Sequence, residues 1–132
     1  MGVEAEVQGF VKEESLFLDV KCDEGEILIG RHGRTLESLQ TLINRMANKQ
    51  INGKVRIILD IEGYRKRRME SLTNMANRLG ERAKRTGKGI TVGPFSAHDR
   101  RTIHIALKQD PSLKTESLGE GEWKRITIIP TR

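Results

Sequence analysis

Two short constellations carry residue types that could grip an anion. The first is Gly30-Arg31-His32-Gly33, followed at once by Arg34. Glycine has no Cβ, so its backbone can come very close to another molecule. A tight Gly-x-x-Gly turn that opens a helix presents peptide N–H groups, a helix N-terminus and cationic side chains together, a set that suits a phosphate. The second is Arg100-x-x-x-His104, with Arg101 beside it and Lys108 a turn further on. Arg100, His104 and Lys108 stand at i, i+4 and i+8 and share one helix face. A guanidinium can hold a phosphate with two parallel hydrogen bonds. An imidazole one turn away can bond a phosphate or sugar, or stack on a base. Each constellation also has a bland alternative: a turn between helices for the first, a solvated helix face for the second.

Other phosphate-binding loops do not fit. A mononucleotide loop needs Lys then Ser or Thr after its last Gly, and a dinucleotide fingerprint needs a third Gly and an acid after the next strand. No cofactor is expected. The histidines are His32, His98 and His104, and none has metal-ligand spacing. The acids cluster in residues 1–26, away from the cationic positions, so a metal-dependent or His-based nuclease is a poor reading and the chain is not expected to be an enzyme.

The elements that must position these residues are legible from periodicity. Residues 4–11 and 15–22 alternate in the strand period, with Val7, Val11, Leu16, Leu18 and Val20 predicting one apolar face and Lys12-Glu13-Glu14 a hairpin turn. Cys22, the one cysteine, is expected to be a small core residue and forms no internal disulfide. Asp23 to Leu28 reads as a short helix capped by Asp23. Beyond the glycine turn, Leu36, Leu39, Leu42, Ile43 and Met46 predict a core-facing helix stripe, with Thr35 in its N-cap region. Asn52-Gly53 should end it, and Val55 to Ile61 should be a strand. The order is β-β-α-α-β, with the glycine turn between the helices.

Glu62-Gly63 marks the expected boundary between domains 1–62 and 63–132. Tyr64 to Thr86 reads as a long helix with Met69, Leu72, Met75, Ala76, Leu79 and Ala83 on one stripe and a strongly basic outer face, stopped by Gly87. Ile90 to Phe95 should be a short strand that Pro94 blocks from extending. Ser96 and Asp99 have the spacing of a capping box for a helix reaching about Lys108, with Ile103, Ala106 and Leu107 as its core side. Lys114 to Leu118 and Trp123 to Ile129 should pair around Gly119-Glu120-Gly121-Glu122.

Charge follows the same division. Residues 1–62 hold 8 Lys/Arg and 11 Asp/Glu, a net −3, whereas residues 63–132 hold 16 and 7, a net +9. Positive charge begins at the glycine turn and grows toward the C-terminus, which favours a polyanion partner over a small-molecule substrate. Aromatics make up 4% of the chain, which argues against a sheet of stacking rings. No stretch has the length of a membrane span and no signal-peptide pattern opens the sequence, so a cytoplasmic protein without direct membrane insertion is expected.

Leu28-Ile29-Gly30-Arg31-His32-Gly33-Arg34-Thr35-Leu36-Glu37-Ser38-Leu39-Gln40 closely resembles the KH segment of the Jag family, the bacterial SpoIIIJ-associated proteins. Asp99-Arg100-Arg101-Thr102-Ile103-His104-Ile105-Ala106-Leu107 resembles that family's second domain, which takes its name from its Arg-x-x-x-His signature. Thr115 to Arg125 resembles the same domain's C-terminal segment. The resemblance covers nearly the whole chain, with both signatures in the family's order.

What the resemblance implies is an α+β protein of two small α/β-sandwich domains, a type II-like KH domain and an α-β-α-β-β domain, joined by the long helix. It implies binding of single-stranded RNA, with single-stranded DNA the alternative, and a role in post-transcriptional regulation linked to cell elongation, division or sporulation. A small stand-alone KH protein is an implied partner. By matched position, Ile29, Gly30, Arg31, His32, Gly33 and Arg34 form the KH clamp, and Arg100, Arg101, His104 and Lys108 the second site. Bases are expected between the helix at Ile27–Ile29 and the strand Val55–Ile61. Two tethered sites on one strand gain affinity through effective concentration, and the long helix should hold them at a roughly fixed distance. Replacing Gly30 or Gly33 with Asp is expected to weaken RNA binding and leave the domain folded. Family members carry a further N-terminal domain and linker that this sequence does not show. His32 stands where Arg or another long polar residue is common, so the clamp's charge is expected to vary with pH. Trp123 stands where a smaller or polar residue is common. The rival class is a protein-interaction adaptor at a division or membrane-insertion complex, docking through the KH sheet or the acidic N-terminal strands.

Overall fold

The strand-period alternation near the N-terminus folds as a hairpin. In the computed structural model, which describes residues 5–50 and 55–131, β1 (Ala5–Lys12) pairs antiparallel with β2 (Ser15–Cys22). Glu13 and Glu14 between them adopt φ of 51° and 65°, as a two-residue turn matching the strand twist requires. β2 pairs in parallel with β3 (Arg56–Ile61), giving the order β1-β2-β3. Parallel neighbours need a crossover, supplied by α1 (Gly25–Ile29), a 3-10 turn (Arg31–Gly33) and α2 (Arg34–Gln50). The expected Asn52-Gly53 turn lies outside the described residues.

The register aligns Val7 with Val20 and Ile61, and Val11 with Leu16 and Ile57, on one face. The helices pack mainly on β3, and β1 is exposed along its whole length. Leu59 and Ile61 are therefore buried with Ile29 and Leu36, while Leu18, Val20, Leu39 and Ile43 pack partly against them. Val7 and Val11 remain exposed, Val11 at 75%, against the expectation that they complete the core face. Leu42 and Met46 are exposed too, because only the Leu36–Leu39–Ile43 side of α2 meets the sheet. Cys22 is only half-buried. α1 starts two residues later than expected, after Glu24, with no side-chain cap from Asp23. Thr35 lies inside the first turn of α2 instead of capping it.

α3 (Tyr64–Thr86) matches the predicted limits, and Gly87 N–H donates to the Ala83 carbonyl at its end. Leu72, Ala76, Leu79 and Ala83 are buried; Met69, at the start of the predicted stripe, is exposed. β4 (Ile90–Phe95), α4 (Ala97–Leu107), β5 (Leu113–Leu118) and β6 (Lys124–Pro130) follow. Pro94 stays within β4, where an irregularity between Val92 and Phe95 absorbs it. The sheet order is β4-β6-β5 with both pairs antiparallel. Ile103 and Leu107 of α4 close one core with the α3 residues, Phe95, Leu113, Ile126 and Ile128. The chain divides into two units between Lys66 and Arg67, four residues past the expected end at 62. The first turn of α3 goes with the first unit because Tyr64 packs into its core and Arg65 bonds Glu37 and the Leu59 carbonyl.

Candidate nucleic-acid interface

In the first unit the site is a turn that only special backbone conformations can make. Gly30 has φ 74° and ψ −179°, His32 φ 56° and Gly33 φ 77°. Positive φ is cheap for glycine and tolerated by histidine. A Cβ on Gly30 would stand 2.8 Å from Thr35 Cβ and 2.9 Å from its backbone N. One on Gly33 would stand 2.8 Å from Tyr64 Cε2. The turn therefore wraps tightly onto α2 and onto Tyr64, and aspartate at either glycine disturbs the fold itself. That overturns the expectation of a folded Gly→Asp variant. Arg31, His32 and Arg34 are exposed around the turn.

Ile29 does not belong to this surface. It is 6% exposed and packs in the core, so it supports the turn from behind. The exposed apolar side chain beside the turn is Ile27, at 57%. Its position in an uninterrupted Ile-Leu-Ile run gave no signal to separate it from Ile29. The expected path for bases along β3 is also narrowed. A polar row on α2 occupies the strand's outer edge. Asn48 Oδ1 accepts from Val55 N–H at 2.7 Å and its Nδ2 donates to the Val55 carbonyl at 3.0 Å. Asn44 does the same for Ile57 at 2.8 Å each way. Gln40 Oε1 accepts from Leu59 N–H at 2.6 Å and its Nε2 donates to the Ile57 carbonyl. These amides act as a surrogate strand, leaving bases no free main-chain groups at Val55, Ile57 and Leu59.

In the second unit Ser96 caps α4, its hydroxyl accepting from Asp99 N–H at 3.2 Å. This fixes the helix start and so aims Arg100, Arg101 and His104. All three line a shallow pocket of about 280 Å³ with Ala97, Thr115, Ser117 and Ile126. His104 Nδ1 and Thr115 Oγ1 are 2.8 Å apart, which leaves the Nε2 edge for a ligand. Arg100 is held by the protein: Nε donates to Phe95 O at 3.3 Å, Nη1 to Ser117 Oγ at 3.1 Å and Nη2 to Glu122 O at 3.3 Å. Arg101 is exposed and has no hydrogen-bond or ion-pair partner among the described residues. Lys108 is the exposed C-cap of α4 and does not line the pocket. Trp123 is half-buried.

The basic face of α3 is less available than its sequence suggests. Arg68 pairs with Asp99 at 3.1 Å, and Lys84 with Asp110 at 2.7 Å and Glu81 at 2.8 Å. Lys66, Arg78, Arg82 and Arg85 remain exposed. Among the described residues no group of three or more His, Cys, Asp and Glu could hold a metal ion, and no helix is long and apolar enough to cross a membrane.

A glycine turn between two helices, followed in the second unit by a helix that carries the Arg-x-x-x-His signature, defines the class: a KH domain followed by an Arg-x-x-x-His domain. The family model of the KhpA/KhpB KH domain matches residues 1–61, and that of the domain named for the Arg-x-x-x-His signature matches residues 70–130. Relatives include RNA-binding protein KhpB of Clostridium symbiosum, 36% identical over 128 residues, which are 97% of this chain and 58% of the relative. RNA-binding protein KhpB of Bacillus subtilis is 32% identical over 112 residues, 83% of this chain and 54% of the relative. The chain belongs to the Jag family, the KhpB-type proteins that join these two domains. It spans about half the length of these two curated relatives.

Proposed function

We propose that this chain binds single-stranded RNA through two modules, a phosphate clamp at Gly30–Gly33 and a second face built on Arg101 and His104. The observation that carries the reading is the turn at residues 30–33. Three positive-φ residues hold exposed Arg31 and His32 at the start of α2, where peptide dipoles add to their charge. The names of the relatives, RNA-binding protein KhpB, support RNA over other polyanions. Single-stranded DNA is the competing ligand. The resemblance further supports a cytoplasmic, non-enzymatic role in post-transcriptional regulation tied to cell elongation, division or sporulation. Fluorescence anisotropy with matched polyuridine, polydeoxythymidine and duplex probes tests it. Tightest binding to the RNA strand is expected, and equal binding to duplex would reduce the site to a non-specific basic surface.

A second reading concerns protein partners. β1 pairs only with β2 among the described residues, and Val7, Phe10 and Val11 on it are exposed. Such an edge suits strand addition by another protein, and the far edge at β3 is blocked by the α2 amides. The KH model's name spans KhpA and KhpB, which supports a small stand-alone KH protein as the partner. Co-purification with such a protein, and its loss on Val11→Lys, tests this independently of RNA.

A further inference from the structure

We infer that Arg100, the first residue of the Arg-x-x-x-His signature, is a positioning residue, and that the phosphate contact in this module is made by its neighbour Arg101. This rests on the RNA reading above and divides the labour within that site. A guanidinium has five N–H donors in a fixed plane. Three of its bonds here go to oxygens of its own chain, and they come from three places: the end of β4 at Phe95, β5 at Ser117 and the β5–β6 loop at Glu122. The planar fork thus ties the loop over residues 119–123 to the start of α4. Its donor directions are set by those acceptors, so one N–H on each Nη is left over and the fork cannot turn toward a phosphate without giving up a bond to its own chain.

Arg101 has the opposite surroundings. It lines the same pocket, is exposed, and has no competing oxygen among the described residues. Across the pocket, His104 is oriented by Thr115 on β5, the strand that Arg100 also holds through Ser117. Arg100 accordingly acts on the ligand through the β5 wall and the loop, whereas Arg101 acts by charge. A lysine cannot replace Arg100, because one ammonium cannot span three acceptors in a plane.

Salt dependence separates the two roles. Each phosphate neutralised on a single strand contributes about −0.7 to the slope of log affinity against log salt. The experiment titrates labelled polyuridine with the full chain as wild type, Arg100→Ala, Arg100→Lys, Arg101→Ala and Ser117→Ala, from about 50 to about 200 mM KCl. Amide hydrogen exchange over residues 118–123 is measured on each variant without RNA. Arg101→Ala should flatten the slope by about 0.7 and leave loop exchange unchanged. Arg100→Ala and Ser117→Ala should weaken binding at an unchanged slope and speed exchange in the loop, and Arg100→Lys should behave as Arg100→Ala. A flattened slope for Arg100→Ala, wild-type affinity in Arg100→Lys, or unchanged loop exchange in Arg100→Ala would overturn the assignment. A wild-type chain that ignores polyuridine defeats the RNA reading instead, and the exchange data still decide whether Arg100 holds the loop.

Discussion

The side-chain amide of Asn44 brackets the peptide of Ile57: Oδ1 accepts from its N–H and Nδ2 donates to its carbonyl, both at 2.8 Å. One side chain thereby does what a neighbouring strand would do. With Gln40 and Asn48 it seals the β3 edge and fixes α2 against the sheet, and the glycine turn sits at the start of that helix.

Asn44→Leu should therefore destabilise the KH unit out of proportion to its half-exposed position. The Ile57 N–H loses its partner, at about 1–3 kcal/mol, while the Ile57 carbonyl keeps the bond from Gln40 Nε2. Urea unfolding of the wild type and Asn44→Leu measures the loss, and a change under about 0.5 kcal/mol, the range of neutral surface substitutions, would contradict the bracket.

The clamp is best tested between its glycines. Arg31→Asp with His32→Asp should keep the fold, since both positions are exposed and aspartate tolerates the left-handed conformation found at His32. Charge-assisted bonds of about 1.5–3 kcal/mol are lost, so RNA affinity should fall at least about tenfold. Gly30→Ala, by contrast, should lower thermal stability, because its Cβ meets the Thr35 backbone. Anisotropy and circular dichroism together separate the two effects.

Removing Arg68 takes from the Asp99 carboxylate, whose side chain is 8% exposed, its closest ion-pair partner and leaves beside it the more distant His98 Nδ1, at 3.9 Å. Breaking a buried pair from one side costs roughly 3 kcal/mol or more. The Arg68 guanidinium also lies 5.9 Å from the Phe95 ring centre, adding a cation–π contact. Arg68→Ala should lower the second unit's denaturation midpoint strongly, whereas exposed Arg78→Ala should barely move it.

Lys84 and Asp110 give the second unit a pH signature. The hydrogen bond from Lys84 holds the Asp110 carboxyl below its ordinary 3.8, helped by Ser112 N–H. The hydrogen bond to Asp110, then that to Glu81, holds Lys84 above its ordinary 10.5. Asp110 contributes stability that is present above 3.8 and lost as pH falls through its lower folded value. Lys84 contributes stability that is present below 10.5 and lost as pH rises through its higher folded value. The melting-temperature gap between wild type and Lys84→Met should be flat at neutral pH and shrink at both extremes. Both side chains are substantially exposed, so the gap should be modest and smaller in high salt.

Local pattern was enough to write down most elements. The hairpin, the limits of α3, the Ser96 cap and the glycine turn between two helices follow from periodicity, capping chemistry and the freedom of glycine, which neighbours in the chain decide among themselves. The placement of Arg100 and His104 on one helix face follows from the same 3.6-residue repeat. Which apolar residues are core did not follow, because the helices cover β3 and leave β1 bare: Val7, Val11, Leu42 and Met46 sit on legible stripes but outside the covered area. Ile27 and Ile29, expected together beside the bases, part because α1 turns Ile29 into the core and leaves Ile27 exposed.

The two modules, their signatures and their order are written in the order of residues alone, since each signature is a run of neighbours whose backbone demands are local. Which cations are free for a ligand was settled by packing. Arg68 finds Asp99 31 residues away and Lys84 finds Asp110 26 away. Arg100 is committed to Phe95, Ser117 and Glu122 while Arg101 is not. A long charged side chain takes whatever oxygen packing brings within reach, and that choice depends on the sheet order β4-β6-β5 and the loop beside it, which no local repeat encodes.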